Sequence, residues 1–107
     1  MDKDLILQQE AANDGQTIHL YFDDMAGMYL AYGLSAYYAD MVTSPIISYS
    51  SVMGMPVALL GKSQVIYLRQ GLTKVEHTKK TYYRFRMRMK VGEAGYKRWE
   101  DRVVKDE

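Results

Sequence analysis

Apolar and polar positions alternate most regularly in "YYRFRMRMK", Tyr82–Lys90. Successive side chains of an extended segment face opposite ways, so this stretch predicts a strand with one oily row and one charged row, Arg84, Arg86, Arg88 and Lys90. The same period runs through "TIHLYF", Thr17–Phe22, with Ile18, Leu20 and Phe22 on one face and Thr17, His19 and Tyr21 on the other. "IISYS" and "MPVALL" read as two short strands separated near Ser51–Gly54. Pro56 falls at the start of the second, where its missing N–H does least harm.

Other segments read as helices. "DKDLILQQEAA", Asp2–Ala12, favours a helix that stops at Asn13-Asp14-Gly15. Asp-Gly is also a hairpin signal, which leaves a strand "LILQ" as the alternative there. Asp23-Asp24 suit a helix N-terminus, where carboxylates accept free backbone N–H groups. "MAGMYLAYGLSAYYADMV" then continues the helix to Val42, apolar on nearly every side, and Ser44-Pro45 ends it. Lys62–Gln70 predicts a helix with Val65, Ile66 and Leu68 inward and Gly71 as its cap. A polar stretch, Thr73–Lys80, leads into the basic strand. Glu93–Lys105 predicts an amphipathic helix with Tyr96, Trp99 and Val103 on one stripe and Glu93–Lys97 and Asp101–Lys105 pairs outside.

These elements predict one α+β domain over residues 1–107. Its mostly antiparallel sheet of about four strands would be packed by the central apolar helix Asp24–Val42 and the C-terminal amphipathic helix. Residues 1–14 leave open a loosely attached N-terminal helix. The sequence shows no internal repeat.

Composition narrows the class. At 107 residues, 48% hydrophobic and 25% charged, the chain has the size and balance of one globular domain and lies far from disorder. With no cysteine, disulfides, zinc-thiolate sites and thiol nucleophiles are excluded, and a cytoplasmic setting is expected. "MDKDLILQQE" has neither the basic start nor the long apolar run of a signal peptide. Met25–Ala39 is uncharged but shorter than the ~20 residues that span a bilayer. Met41–Gly61 is long enough, yet it holds Pro45, Pro56 and five Ser or Thr residues, so no membrane segment is expected.

The net charge of +1 conceals a strong asymmetry. Residues 1–24 carry six acids and one base, whereas residues 69–90 carry eight bases and one acid. Lys79, Lys80, Arg84, Arg86, Arg88 and Lys90 form the candidate basic surface. Along a strand such bases recur at about 6.6 Å, near the phosphate spacing, and Tyr82 or Tyr83 could stack on a base. A solvated sheet face explains the same row, as does pairing with the acidic segment 1–24 within one chain or across a dimer. The near-neutral total favours pairing over nucleic acid.

Short motifs add little chemistry. "YFDD", Tyr21–Asp24, resembles the Tyr-x-Asp-Asp signature of reverse transcriptases, which implies metal-holding carboxylates at Asp23 and Asp24. The match covers four residues, and a polymerase palm needs a further carboxylate and far more chain, so a helix start is preferred. "GKS", Gly61–Ser63, lacks the Gly-x4-Gly-Lys-Ser/Thr spacing of a phosphate loop, because Pro56 stands where that glycine belongs. His19 and His77 have no ligand spacing, so no metal or cofactor is expected, although a site assembled from His19, Asp23 and Asp24 is conceivable. Tyr29, Tyr32, Tyr37 and Tyr38, with eight methionines, suggest a core or interface helix. The expected function is a small non-catalytic protein-interaction module that self-associates. The alternative is a nucleic-acid-binding module using strand 79–90.

Overall fold

The computed structural model describes residues 3–70, 74–79 and 81–106, the middle stretch as backbone. After α1 (Lys3–Ala11), among these residues, the chain repeats one unit, a hairpin followed by a helix. β1 (Thr17–Asp23) and β2 (Met28–Tyr32) precede α2 (Gly33–Thr43). β3 (Ile46–Ser50) and β4 (Met55–Leu60) precede α3 (Lys62–Gln70), and β5 (Lys74–Lys79) and β6 (Tyr82–Arg86) precede α4 (Glu93–Lys105). The repetition is one of topology, without a matching repeat in sequence.

Five antiparallel pairings join these strands into one sheet of order β3-β4-β2-β1-β6-β5. The first hairpin is therefore central, and each of the others docks its second strand against it. The sheet is larger than the four strands expected, and both differences have a physical cause. β5, "KVEHTK", is polar and lies at the sheet edge, where no second oily face is required and charges discourage edge-to-edge pairing. β2 lies between β1 and β4 with residues buried toward both faces, so it reads as continuously apolar and mimics a buried helix.

The helix expected over Asp24–Val42 is thus a turn at 24–27, then β2, then α2. Asp23-Asp24 begin a hairpin turn there and not a helix. Two glycines enforce the breaks: Gly27 and Gly33 have φ of +65° and +56°, a region open to glycine at little cost. The basic strand ends at Arg86 and not Lys90. In α3, Val65 and Leu68 are buried but Ile66 is 48% exposed, contrary to expectation. The proposed cap Gly71 lies outside the described residues.

Each face of the sheet carries a core. On one, Ile18, Leu20, Ala31, Ala58, Leu60 and Phe85 meet Ala36, Tyr38 and Ala39 of α2, Leu68 of α3 and Trp99 of α4. The Trp99 indole N–H donates to the Asp40 carboxylate at 2.9 Å, tying α4 to α2. On the other face Tyr21, Leu30, Tyr32 and Val57 pack with Ile6 of α1. Ile6 is 1% exposed, so α1 is seated in this core and is not a loose appendage. No described helix is long and apolar enough to cross a membrane.

Candidate interaction surface

Beyond Arg86 the chain leaves the sheet but stays tied to the start of β1. The Met87 N–H donates to the Gln16 carbonyl at 2.7 Å and the Val91 N–H to the Gly15 carbonyl at 2.9 Å. Met87 and Val91 are buried by these anchors, while Arg88, Met89 and Lys90 between them are exposed. The Tyr38 hydroxyl donates to the Met89 carbonyl, fixing this bow against α2. An apolar groove of about 420 Å³ results, walled by Tyr37, Tyr38 and Met41 of α2 and Tyr67 of α3, with Met87 and Met89 along the bow. Arg88 and Lys90 stand beside it. Met41, Tyr67 and Met89 are 61%, 58% and 75% exposed, so a large part of this apolar lining faces water.

The four tyrosines expected on one helix do not share a surface. Tyr29 and Tyr32 are on β2 and point to opposite faces of the sheet. Tyr29 packs on Phe22 and Tyr83 with ring centroids 5.0 and 5.4 Å away, and Tyr32 packs on Tyr21 at 6.2 Å. Tyr37 and Tyr38 are on α2; the first contacts Trp99 at 5.4 Å, and both line the groove. Sequence periodicity missed the contributions of Tyr67 and Met89, which come from α3 and from the bow after β6.

The basic residues also divide. Arg84 and Arg86 lie on the face of β6 opposite the buried Phe85, across from His19 and Thr17 of β1. Strand register sets His77 opposite Arg84, Lys74 opposite Arg86 and Lys79 opposite Tyr82. Lys80 lies outside the described residues. Arg88 and Lys90 are off the strand and belong to the groove. Arg86 is engaged within the chain: its guanidinium donates to the Asp14 carboxylate at 2.9 Å and to Thr17 and Gln16 oxygens at 3.4 Å. A hydrogen bond from the Gln16 N–H, with Arg86 beside it, holds the Asp14 carboxyl below its ordinary range.

His19 does not join the aspartates. It is buried, with Nδ1 in a 2.7 Å hydrogen bond to the Tyr82 hydroxyl, whereas the Asp23 carboxylate accepts the Met25 N–H at 3.1 Å. Four strand residues, about 13 Å, separate His19 from Asp23. Among the described residues no group of three His, Cys, Asp or Glu side chains could hold a metal. At Gly61–Ser63 the Gln64 side chain accepts the Gly61 N–H at 2.8 Å, a helix-capping arrangement in place of a phosphate loop.

A polar cluster that sequence reading missed centres on Glu10. Its carboxylate accepts the Ser35 N–H at 3.1 Å, the Ser35 hydroxyl at 2.6 Å and the Asn13 amide at 3.4 Å. The residue preceding α2, Tyr32, makes no side-chain cap, so Glu10 of α1 caps α2 from outside that helix. Burial pushes its pKa up from 4.5 to about 7, against these hydrogen bonds. Glu10 also lines a cleft of about 830 Å³ with Tyr96. Both carboxylate oxygens are engaged in capping, which accounts for the residue without a ligand. Nothing local marks this glutamate as a cap in the sequence, because Ser35 of the helix it caps is 25 residues away.

Comparison with protein-family models, curated proteins and solved structures finds no match to the chain.

Proposed function

We propose that this chain is a small non-catalytic interaction module that associates with further copies of itself through the groove beside α2. The observation that carries the reading is the cluster of solvent-facing Met41, Tyr67 and Met89 around a preformed apolar depression. Burying apolar area of this kind releases roughly 25 cal/mol per Å². Methionine and tyrosine also suit interfaces, the first because it adapts its shape and the second because it offers a broad ring at low entropy cost. Exposed Asp24 at the β1–β2 turn and exposed Arg88 and Lys90 beside the groove give two copies unlike surfaces to present to one another.

Sedimentation velocity across a concentration series tests this reading. The expected result is a weight-average mass that rises with concentration for the natural chain and stays at monomer mass for Met89→Asp. Equal masses for the two at every concentration would remove the groove as an interface.

A second reading, nucleic-acid binding, draws support from the register that sets Lys74, Lys79, Arg84 and Arg86 on neighbouring positions of β5 and β6. The Asp14–Arg86 pair weighs against it by occupying one of those bases. Fluorescence anisotropy of labelled oligonucleotides at low and physiological salt separates the two readings, because phosphate contacts give a steep salt slope and an apolar groove does not.

A further inference from the structure

The groove's chemistry has a counterpart on the same chain. The β1–β2 turn carries Met25, which is 98% exposed, and the neighbouring Asp24 is exposed as well. This tip is held in shape by Asp23, whose carboxylate accepts the Met25 N–H at 3.1 Å and whose carbonyl accepts the Gly27 N–H at 2.8 Å. A methionine displayed on a fixed turn loses little backbone freedom when it docks, which favours association.

We propose that the Met25 tip of one copy docks into the groove of the next, with Asp24 opposite Arg88 and Lys90. The inference rests on the self-association proposed above and names the segment that fills the groove. Its basis is complementarity: a thioether flanked by carboxylate meets a Tyr- and Met-lined depression flanked by two exposed cations. The ends are also correctly placed. β1 starts beside the groove, where Met87 is bonded to Gln16, and finishes at the tip, a strand length of about 20 Å away. One copy therefore does not fill its own groove. The contact joins two unlike surfaces, so it closes as a reciprocal pair or a ring, or propagates as an open chain, according to the rotation between copies. A hairpin tip covers less area than a standard stable interface, so association is weak and concentration-dependent.

The test uses two full-length variants at exposed sites, Met25→Asp and Met89→Asp, each checked for an unchanged circular dichroism spectrum and thermal midpoint. In sedimentation velocity each variant alone is expected at monomer mass where the natural chain associates. Their equimolar mixture is expected to form dimers and nothing larger, since one intact tip meets one intact groove and the remaining ends are blocked. Asp24→Lys is expected to weaken natural-chain association at least tenfold, with recovery when it is mixed with the Arg88→Glu, Lys90→Glu double variant. If Met25→Asp associates like the natural chain while Met89→Asp does not, the groove remains the interface and the tip is not its occupant. If the mixture stays monomeric, docking of the tip into the groove is overturned. If the natural chain itself is monomeric at millimolar concentration, both the docking and the self-association reading fall.

Discussion

Burying the Glu10 carboxylate costs more than its hydrogen bonds to Ser35 and Asn13 return, which is why its pKa sits near 7. The folded chain thus keeps a proton between pH 4.5 and 7 that the unfolded chain releases. Stability from the protonated form is complete below pH 4.5 and falls as pH rises through 7, by up to roughly 3 kcal/mol. Neighbouring Tyr21 and Tyr96 have phenol pKa values pushed up by burial, so they stay neutral across this window. Urea midpoints measured from pH 4.5 to 8 are expected to decline for the natural chain, and Glu10→Gln, which has no proton to lose, is expected to flatten that part of the decline. The Asp14–Arg86 pair has both side chains more than two-fifths exposed, so Arg86→Ala is expected to change stability by about 1 kcal/mol or less. A larger loss in chemical denaturation would mean that Arg86 supports more than a surface pair. Phe85, fully buried in the central core, is the contrasting residue: Phe85→Ala should cost about 3–5 kcal/mol by the same measurement.

At the scale of elements, the junction between β2 and α2 decides the architecture. Gly33 has φ of +56°, and a Cβ there would meet the Met55 sulfur at 3.2 Å and Glu10 and Tyr96 oxygens at 3.6 Å. Gly33→Ala should therefore destabilise by about 1–3 kcal/mol, read as a lower urea midpoint, because alanine resists the left-handed conformation and crowds the α2 cap. An unchanged midpoint would show that the junction relaxes without cost. The helix expected across this junction failed because β2 is buried on both faces and gives no two-residue period. Where one face of an element stays wet, as in β6 or α4, the period was legible and the strand or helix was found. The groove followed the same rule: Tyr37 and Tyr38 were legible as a helical aromatic pair, whereas Tyr67 and Met89 were not, since they reach the groove from other elements.

The whole molecule depends on pairing between distant segments. β1 is central only because β6 returns to it, with Ile18 opposite Phe85 and Leu20 opposite Tyr83. A chain cut after Gln70 loses β6, the buried Phe85 and Trp99, and turns β1 into an edge strand. It is expected to lack a cooperative thermal transition by circular dichroism; a sharp transition would show that the first two hairpin-helix units fold unaided. Near-neutral total charge with acids and bases concentrated in different segments also belongs to this scale. It allows some acids and bases to meet within the fold, as Asp14 and Arg86 do, and leaves others, Asp24 at one end and Arg88 and Lys90 at the other, on the surface.

By itself the sequence determined the α+β class, α1, β1, β3, β4, α3, α4, the amphipathic character of β6 and the charge asymmetry. Each of these rests on short-range spacing, capping residues or counts, which a chain carries whatever its partners. Only the tertiary structure decided the two-sided burial of β2, the edge position of β5, the capping of α2 by Glu10 and the convergence of α2, α3 and the 87–92 bow into one groove. The physical reason is common to all four. Burial, edge position, capping by another element and cavity shape are set by neighbours many residues away, and local periodicity holds no record of which neighbours those are.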